Sequence, residues 1–151
     1  MEYNSTITNR AARRDYFILE TIEAGLALIG SEVKSLRAGR ASLAESFAKV
    51  EDKEIFLHHM HVSPYEYGDK KEQDPLRPKK LLLHKKEIEY LVNNITQKRL
   101  SLIPLKVYFK KGFAKVELAL AKGKKQYDKR EAIKRKEAER TMRRAKRYST
   151  K

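Results

Sequence analysis

Three histidines crowd four positions, His58, His59 and His61 around Met60. On an extended chain His59 and His61 share a face, so two imidazoles could converge on a metal. The chain has no Cys, and no acidic residue stands at a ligand spacing, so these read as rim histidines with at most a base-stacking role. Gly25 to Ser31 reads G-x-x-x-x-G-S. A phosphate-binding loop needs Lys and then Ser or Thr after the second Gly. Ser31 and Glu32 stand there instead, and Glu32 would repel a phosphate. No G-x-S-x-G elbow is present, and the carboxylates single out no acid/base pair. No enzyme, no cofactor and no metal site is expected.

The chemistry that the sequence does support is recognition of a polyanion. Of a net charge of +15, an excess of ten positive charges falls between Ala121 and Lys151. Arg10, Arg13 and Arg14 stand near the N-terminus, and Lys34 and Arg37 follow in a short segment. Arg77, Lys79 and Lys80 close a polar stretch that also carries Lys70 and Lys71. Tyr3, Tyr16, Tyr65, Tyr67, Tyr108, Tyr127 and Tyr148 are interleaved with these groups. Lys and Arg contact phosphates, and Tyr stacks on unpaired bases, so the pattern points to RNA. A membrane-surface helix would need a Trp, Phe or Leu face, and residues 121–151 contain none of these.

The elements that must position these residues come next. Residues 15–120 are enough for one domain with its own core. Residues 1–14 read as a flexible basic arm and 121–151 as a basic tail. With no Cys, no apolar leader within Met1–Asp15 and no apolar run long enough to span a bilayer, a soluble cytoplasmic protein is expected. Tyr16 to Ile29 reads as one or two strands bent at Gly25. Ser31 is placed to cap a short helix that Gly39 ends. Phe47–Val50 and Ile55–Met60 flank the polar turn of Glu51–Glu54 as a hairpin. Ser63–Lys80 is a long polar loop. Ile88, Leu91, Val92 and Ile95 recur at helical spacing. Ile103, Leu105, Val107 and Phe109 then alternate with Lys106, Tyr108 and Lys110, and Ala114, Val116, Leu118 and Leu120 answer them across Lys111-Gly112. About six antiparallel strands with two or three short helices predict a mainly β fold, a small closed barrel of OB type. Tyr127–Arg147 has no Gly or Pro. It is expected to be disordered alone and helical on RNA.

Several segments in order resemble the SsrA-binding protein family, SmpB. They are Asn9-Arg10-Ala11-Ala12-Arg13, the run from Glu23 to Gly39, Asp74-Pro75 with Arg77, Lys80-Leu81-Leu82-Leu83, and Ala121 to Arg130. The resemblance covers about residues 8–135. It implies a barrel that binds the tRNA-like part of transfer-messenger RNA (SsrA RNA) and delivers it to stalled 70S ribosomes for rescue and nascent-peptide tagging. It also implies elongation factor Tu as a partner through the aminoacylated RNA, and no membrane. Asn9, Glu23 and Leu82 match positions that contact RNA in the family, with Arg10, Arg13, Arg14, Lys34, Arg37, Arg77, Lys79 and Lys80 as basic neighbours. Arg14 stands where relatives often carry His. The resemblance further implies that the tail enters the decoding region and the empty messenger channel. Gly123 would be its joint and Tyr127 a stacking group. Lys122, Lys124, Lys125, Lys129, Arg130, Lys134, Arg135 and Lys136 would meet ribosomal RNA, with Asp128 within the same matching block. The alternative is a structural ribosomal protein or a general RNA-binding protein, which would share barrel and tail.

Overall fold

The computed structural model describes residues 5–65, 74–124, 137, 138 and 140–142. The elements run β1 (Ile7–Thr8), α1 (Ala12–Asp15), β2 (Tyr16–Leu26), α2 (Gly30–Arg37), β3 (Ala41–Ser42), β4 (Phe47–Glu51), β5 (Glu54–His58), β6 (His61–Val62), β7 (Lys79–Leu82), α3 (Lys85–Gln97), β8 (Ser101–Lys110) and β9 (Phe113–Gly123). Every pairing is antiparallel. The order β8-β4-β5-β7-β2-β9 closes because β8 also pairs with β9. Six strands thus form a ring, the OB-like barrel that the strand pattern predicts, with β1 added to β8 and a separate β3–β6 ladder. Closure removes the exposed edges that an open sheet would leave.

Local chemistry explains the corners. Asp52 and Lys53 both take positive φ, 46° and 64°, and join β4 to β5. Lys111 and Gly112 do the same, 52° and 81°, between β8 and β9. Two consecutive positive φ values match the twist of a tight hairpin. α2 ends at Gly39, where Arg40 N–H donates to Ser35 O (2.9 Å) and Gly39 N–H to Leu36 O (3.0 Å). This is the paired capping that glycine permits. α3 places Leu91 in the barrel core, with Ile88 and Ile95 packed against it, as the helical spacing predicts.

The structure also departs from the sequence reading. β2 is one continuous strand, and its irregularity lies between Ile18 and Glu20 rather than at Gly25. α2 begins at Gly30, capped not by Ser31 but by the Glu32 carboxylate, which accepts Ile29 N–H at 2.9 Å. The second strand of the first hairpin ends at His58, because His59 turns the chain with φ 63°. β8 carries a bulge between Pro104 and Lys106 that reverses its alternation. Leu102 and Val107 therefore face the barrel core, while Ile103 and Leu105 face outward with Ala119 and Ala121.

That outer apolar patch explains a further difference. Ala12 of α1 seals it, beside Tyr16 and Ile18. Ile7 is buried in the main core, and Asn9 N–H donates to Leu105 O at 2.8 Å. Residues 7–14 are therefore docked on the barrel rather than free as an arm. At the other boundary, β9 runs on through Ala121 to Gly123, which pairs with Tyr16, and Lys124 N–H donates to Asp15 O at 2.9 Å. The barrel thus extends past both expected limits, 15 and 120. Within the tail, Glu137, Ala138 and Arg140–Met142 are helical and exposed. The expected passage of 125–151 from disorder to helix otherwise concerns residues outside those described.

Candidate nucleic-acid interface

The order β8-β9-β2-β7 presents one continuous outer surface. On it β2 contributes Glu23, β8 contributes Tyr108 and Lys110, β9 contributes Lys115, and β7 contributes Lys80 and Leu82. Glu23, Lys80, Leu82 and Lys115 line a groove of about 490 Å³, together with Glu54 and His84. Leu82 lies 53% exposed on its wall. It can lie there because Gly25 beneath it has no side chain: a Cβ at Gly25 would sit 3.0 Å from Leu82 Cβ. What Gly25 permits is thus close approach between β2 and β7, not a bend.

Glu23 is the acidic centre of this surface. The Tyr108 hydroxyl donates to its carboxylate, and Lys110 Nζ lies 3.6 Å away. The hydroxyl bond, then the lysines, hold the Glu23 carboxyl below the usual carboxylate range against the opposing pull of desolvation. Burial, then the bond to Glu23, pushes the Tyr108 phenol up to about 12. Lys80 Nζ reaches Glu54 at 2.9 Å, with both side chains well exposed. The groove therefore offers acceptor oxygens to base or sugar donors, lysines to phosphates, and an apolar side chain to a base or ribose. Lys110 and Lys115 were not among the sequence-predicted site residues, and Tyr108 figured only as one of the interleaved tyrosines. Their signal was present in the outward half of the β8–β9 alternation, which reads as a solvated face until closure places it beside Glu23.

Other expected contacts stand elsewhere. Asn9 Nδ2 donates to Pro104 O at 2.9 Å, and Asn9 lines a second groove with Arg14, between α1, β4, α3 and β8. Arg10 and Arg13 are exposed, and Arg14 Nε lies 3.2 Å from Asp15. Lys34 Nζ stands 4.9 Å from the centre of the Tyr65 ring, and the Arg37 guanidinium 5.2 Å from that of Phe109. At the root of the tail Lys122 is exposed, and Lys124 Nζ reaches Arg13 O at 3.3 Å and lies 4.9 Å from the Phe17 ring centre. Lys125, Tyr127, Asp128, Lys129, Arg130, Lys134, Arg135 and Lys136 lie outside the described residues, as do Lys70 and Lys71.

One expected contact is corrected. Lys79 is fully buried, and its Nζ donates to Arg77 O (2.7 Å) and Met60 O (3.3 Å) and lies 3.8 Å from Glu32 Oε2. Arg77 forks onto the same buried carboxylate, Nη2 to Oε1 at 2.5 Å and Nε to Oε2 at 3.1 Å. Both cations face Glu32, so the fully buried Lys79 is turned away from any RNA, while the half-buried Arg77 keeps part of its guanidinium at the surface. The histidines divide as well. His58 Nε2 lies 2.8 Å from Glu51 Oε1, and its ring stacks on Phe47 at 5.7 Å. Among the described residues no group of three or more His, Cys, Asp or Glu is placed to hold a metal.

The model of the family described as SmpB protein matches residues 6–148. The chain belongs to the SmpB family. Its SmpB relatives include the SsrA-binding protein of Geobacillus thermodenitrificans, 60% identical over 137 residues that cover 91% of this chain and 88% of the relative. That of Bacillus subtilis is 58% identical over 143 residues, covering 95% of this chain and 92% of the relative. Among solved structures, one described as tmRNA-SmpB on a journey to the center of the bacterial ribosome aligns with a TM-score of 0.68 and 51% identity. The alignment covers 85% of this chain and 94% of that one. The SmpB match takes in the barrel, the groove and the root of the tail.

Proposed function

We propose that this chain is a non-enzymatic, cytoplasmic adaptor that binds the tRNA-like domain of transfer-messenger RNA and delivers it to stalled ribosomes. The observation that carries the reading is the convergence of Glu23, Lys80 and Leu82 in one groove, on a barrel whose relatives are SsrA-binding proteins. In this reading the groove chooses the RNA, with Asn9, Arg10, Arg13, Arg14, Lys34 and Arg37 extending the contact around the barrel. Phosphate contacts set register, while Glu23 and Leu82 discriminate at base and sugar.

The tail performs the second recognition. Its excess of positive charge favours ribosomal RNA, and a messenger channel left vacant by a truncated message gives it room to order. Lys122, Lys124, Lys125, Lys129, Arg130, Lys134, Arg135 and Lys136 meet phosphates there, with Tyr127 stacking. Barrel and RNA together then stand in for a whole tRNA, and elongation factor Tu joins through the aminoacylated RNA.

The test is capture of RNA with the tagged full-length chain at moderate salt. Transfer-messenger RNA is the expected species. Recovery instead as a stoichiometric, salt-resistant component of every ribosome would overturn the reading in favour of a structural ribosomal protein.

A further inference from the structure

Phe113 opens β9 with 69% of its surface exposed. Lone exposed apolar side chains are common on protein surfaces, and what sets Phe113 apart is its place on a tight tip among lysines. The tip is rigid because the β8–β9 turn is only Lys111 and Gly112, held at positive φ between the paired residues Lys110 and Phe113. The ring points outward because β9 sends Ala114 and Val116 to the core. Phe113 therefore shares its face with Lys115, which lines the groove of Glu23 and Leu82.

Its surroundings select the occupant. Lys110 is its cross-strand partner, Lys111 precedes it in the turn, and Lys115 follows on the same face. An apolar protein surface would have to desolvate these ammonium groups without compensation. A membrane would need a broader apolar face than one ring. RNA supplies both halves of the match, phosphates for the lysines and the flat face of an unpaired base for the ring.

We infer that Phe113 is a base-stacking residue, which extends the Glu23–Leu82 groove to the hairpin tip and receives an unstacked loop base of the bound RNA. The inference rests on the RNA-binding reading above. It assigns the tip to single-stranded RNA, since a base paired within a helix is already stacked on both faces.

The experiment uses the full-length chain and a transcribed tRNA-like domain of transfer-messenger RNA. Its unpaired loop positions are replaced one at a time by 2-aminopurine. Phe113→Ala should weaken binding about 5- to 150-fold, as expected for loss of one stacked base, with the slope of log affinity against log salt unchanged. Phe113→Trp should bind as the natural chain does. One 2-aminopurine position should be quenched on binding by the natural chain and by Phe113→Trp, and not by Phe113→Ala. Lys115→Gln should instead flatten the salt slope by about 0.7–0.9. Affinity of Phe113→Ala within twofold of the natural chain, or equal loss in Phe113→Trp, would overturn the inference while leaving the function intact. Failure of the natural chain to bind this RNA would overturn the function itself, and the inference with it.

Discussion

Glu32 shows how differently like charges can be used at the scale of single residues. Its carboxylate takes the Arg77 fork, faces the buried Lys79 ammonium and accepts Ile29 N–H. Removing it leaves Lys79 buried without a counter-charge. Glu32→Ala should cost about 3–5 kcal/mol in denaturant unfolding, the usual penalty for breaking a buried pair on one side. Lys79→Met keeps the Arg77 fork and should cost clearly less. In sequence, Arg77 and Lys79 are indistinguishable from Lys80, because charge and spacing carry no record of burial. Glu23 and Leu82 were legible only through the quoted family segments, since a lone acid and a lone Leu have no pattern of their own.

Glu23 and Tyr108 give a second prediction at this scale. The Tyr108 phenol, raised from 10.0 to about 12, favours folding while protonated. Its contribution is fully present below the ordinary tyrosine value and is lost as pH rises through about 12. The Glu23 carboxyl is lowered, so its contribution is present above the usual carboxylate range and is lost as pH falls through the depressed value. Glu23→Gln should bring the Tyr108 value down only part of the way toward 10.0, because burial is the larger cause. Site-specific carbon NMR of the Tyr108 ring during an alkaline titration measures this, and a full return to 10.0 would show that the carboxylate alone holds the phenol.

At the scale of elements, contact between β2 and β7 sets the groove. The Cβ of Gly25→Ala would meet Leu82 Cβ at 3.0 Å, and both belong to backbone-fixed parts of paired strands. The substitution should cost about 1–3 kcal/mol in stability. It should also weaken RNA binding by more than Leu82→Ala does, since it moves the whole of β7. Thermal unfolding and RNA titration of the two variants decide it. α3 and the β8–β9 hairpin were legible because long runs repeat a period. β1 and α1 were not, because two and four residues show no period and are held by tertiary contact. The reversed face of β8 was hidden for a related reason. The apolar run Leu102–Leu105 suits a strand covered on both sides, but only the docked α1 supplies the second cover.

At the scale of the molecule, the described barrel runs on to Lys124, past 120. A chain ending at Lys124 keeps the β2–β9 ladder complete and should retain RNA affinity while losing activity in a stalled-ribosome rescue assay. Loss of most specific RNA affinity would mean that the tail, not the groove, selects the RNA. In the full chain, tail binding to ribosomal RNA should fall with salt on a log–log slope of roughly −4 to −5 for six phosphates neutralised. The charge distribution alone suggests a division between body and tail. The end of β9 at Gly123 was not visible, because Ala121-Lys122-Gly123 is too short and too polar to read as the end of a strand.

The tail continues directly from β9, an eleven-residue strand held along both sides, by β2 and by β8. The groove and the hairpin tip lie toward the opposite end of that strand. A pull on the tail against an RNA held at the groove therefore runs along the strand and loads both ladders in shear. Their hydrogen bonds share the load together instead of parting one after another. β9 would thus act as a mechanical strut between a tail under load and an RNA held at the groove.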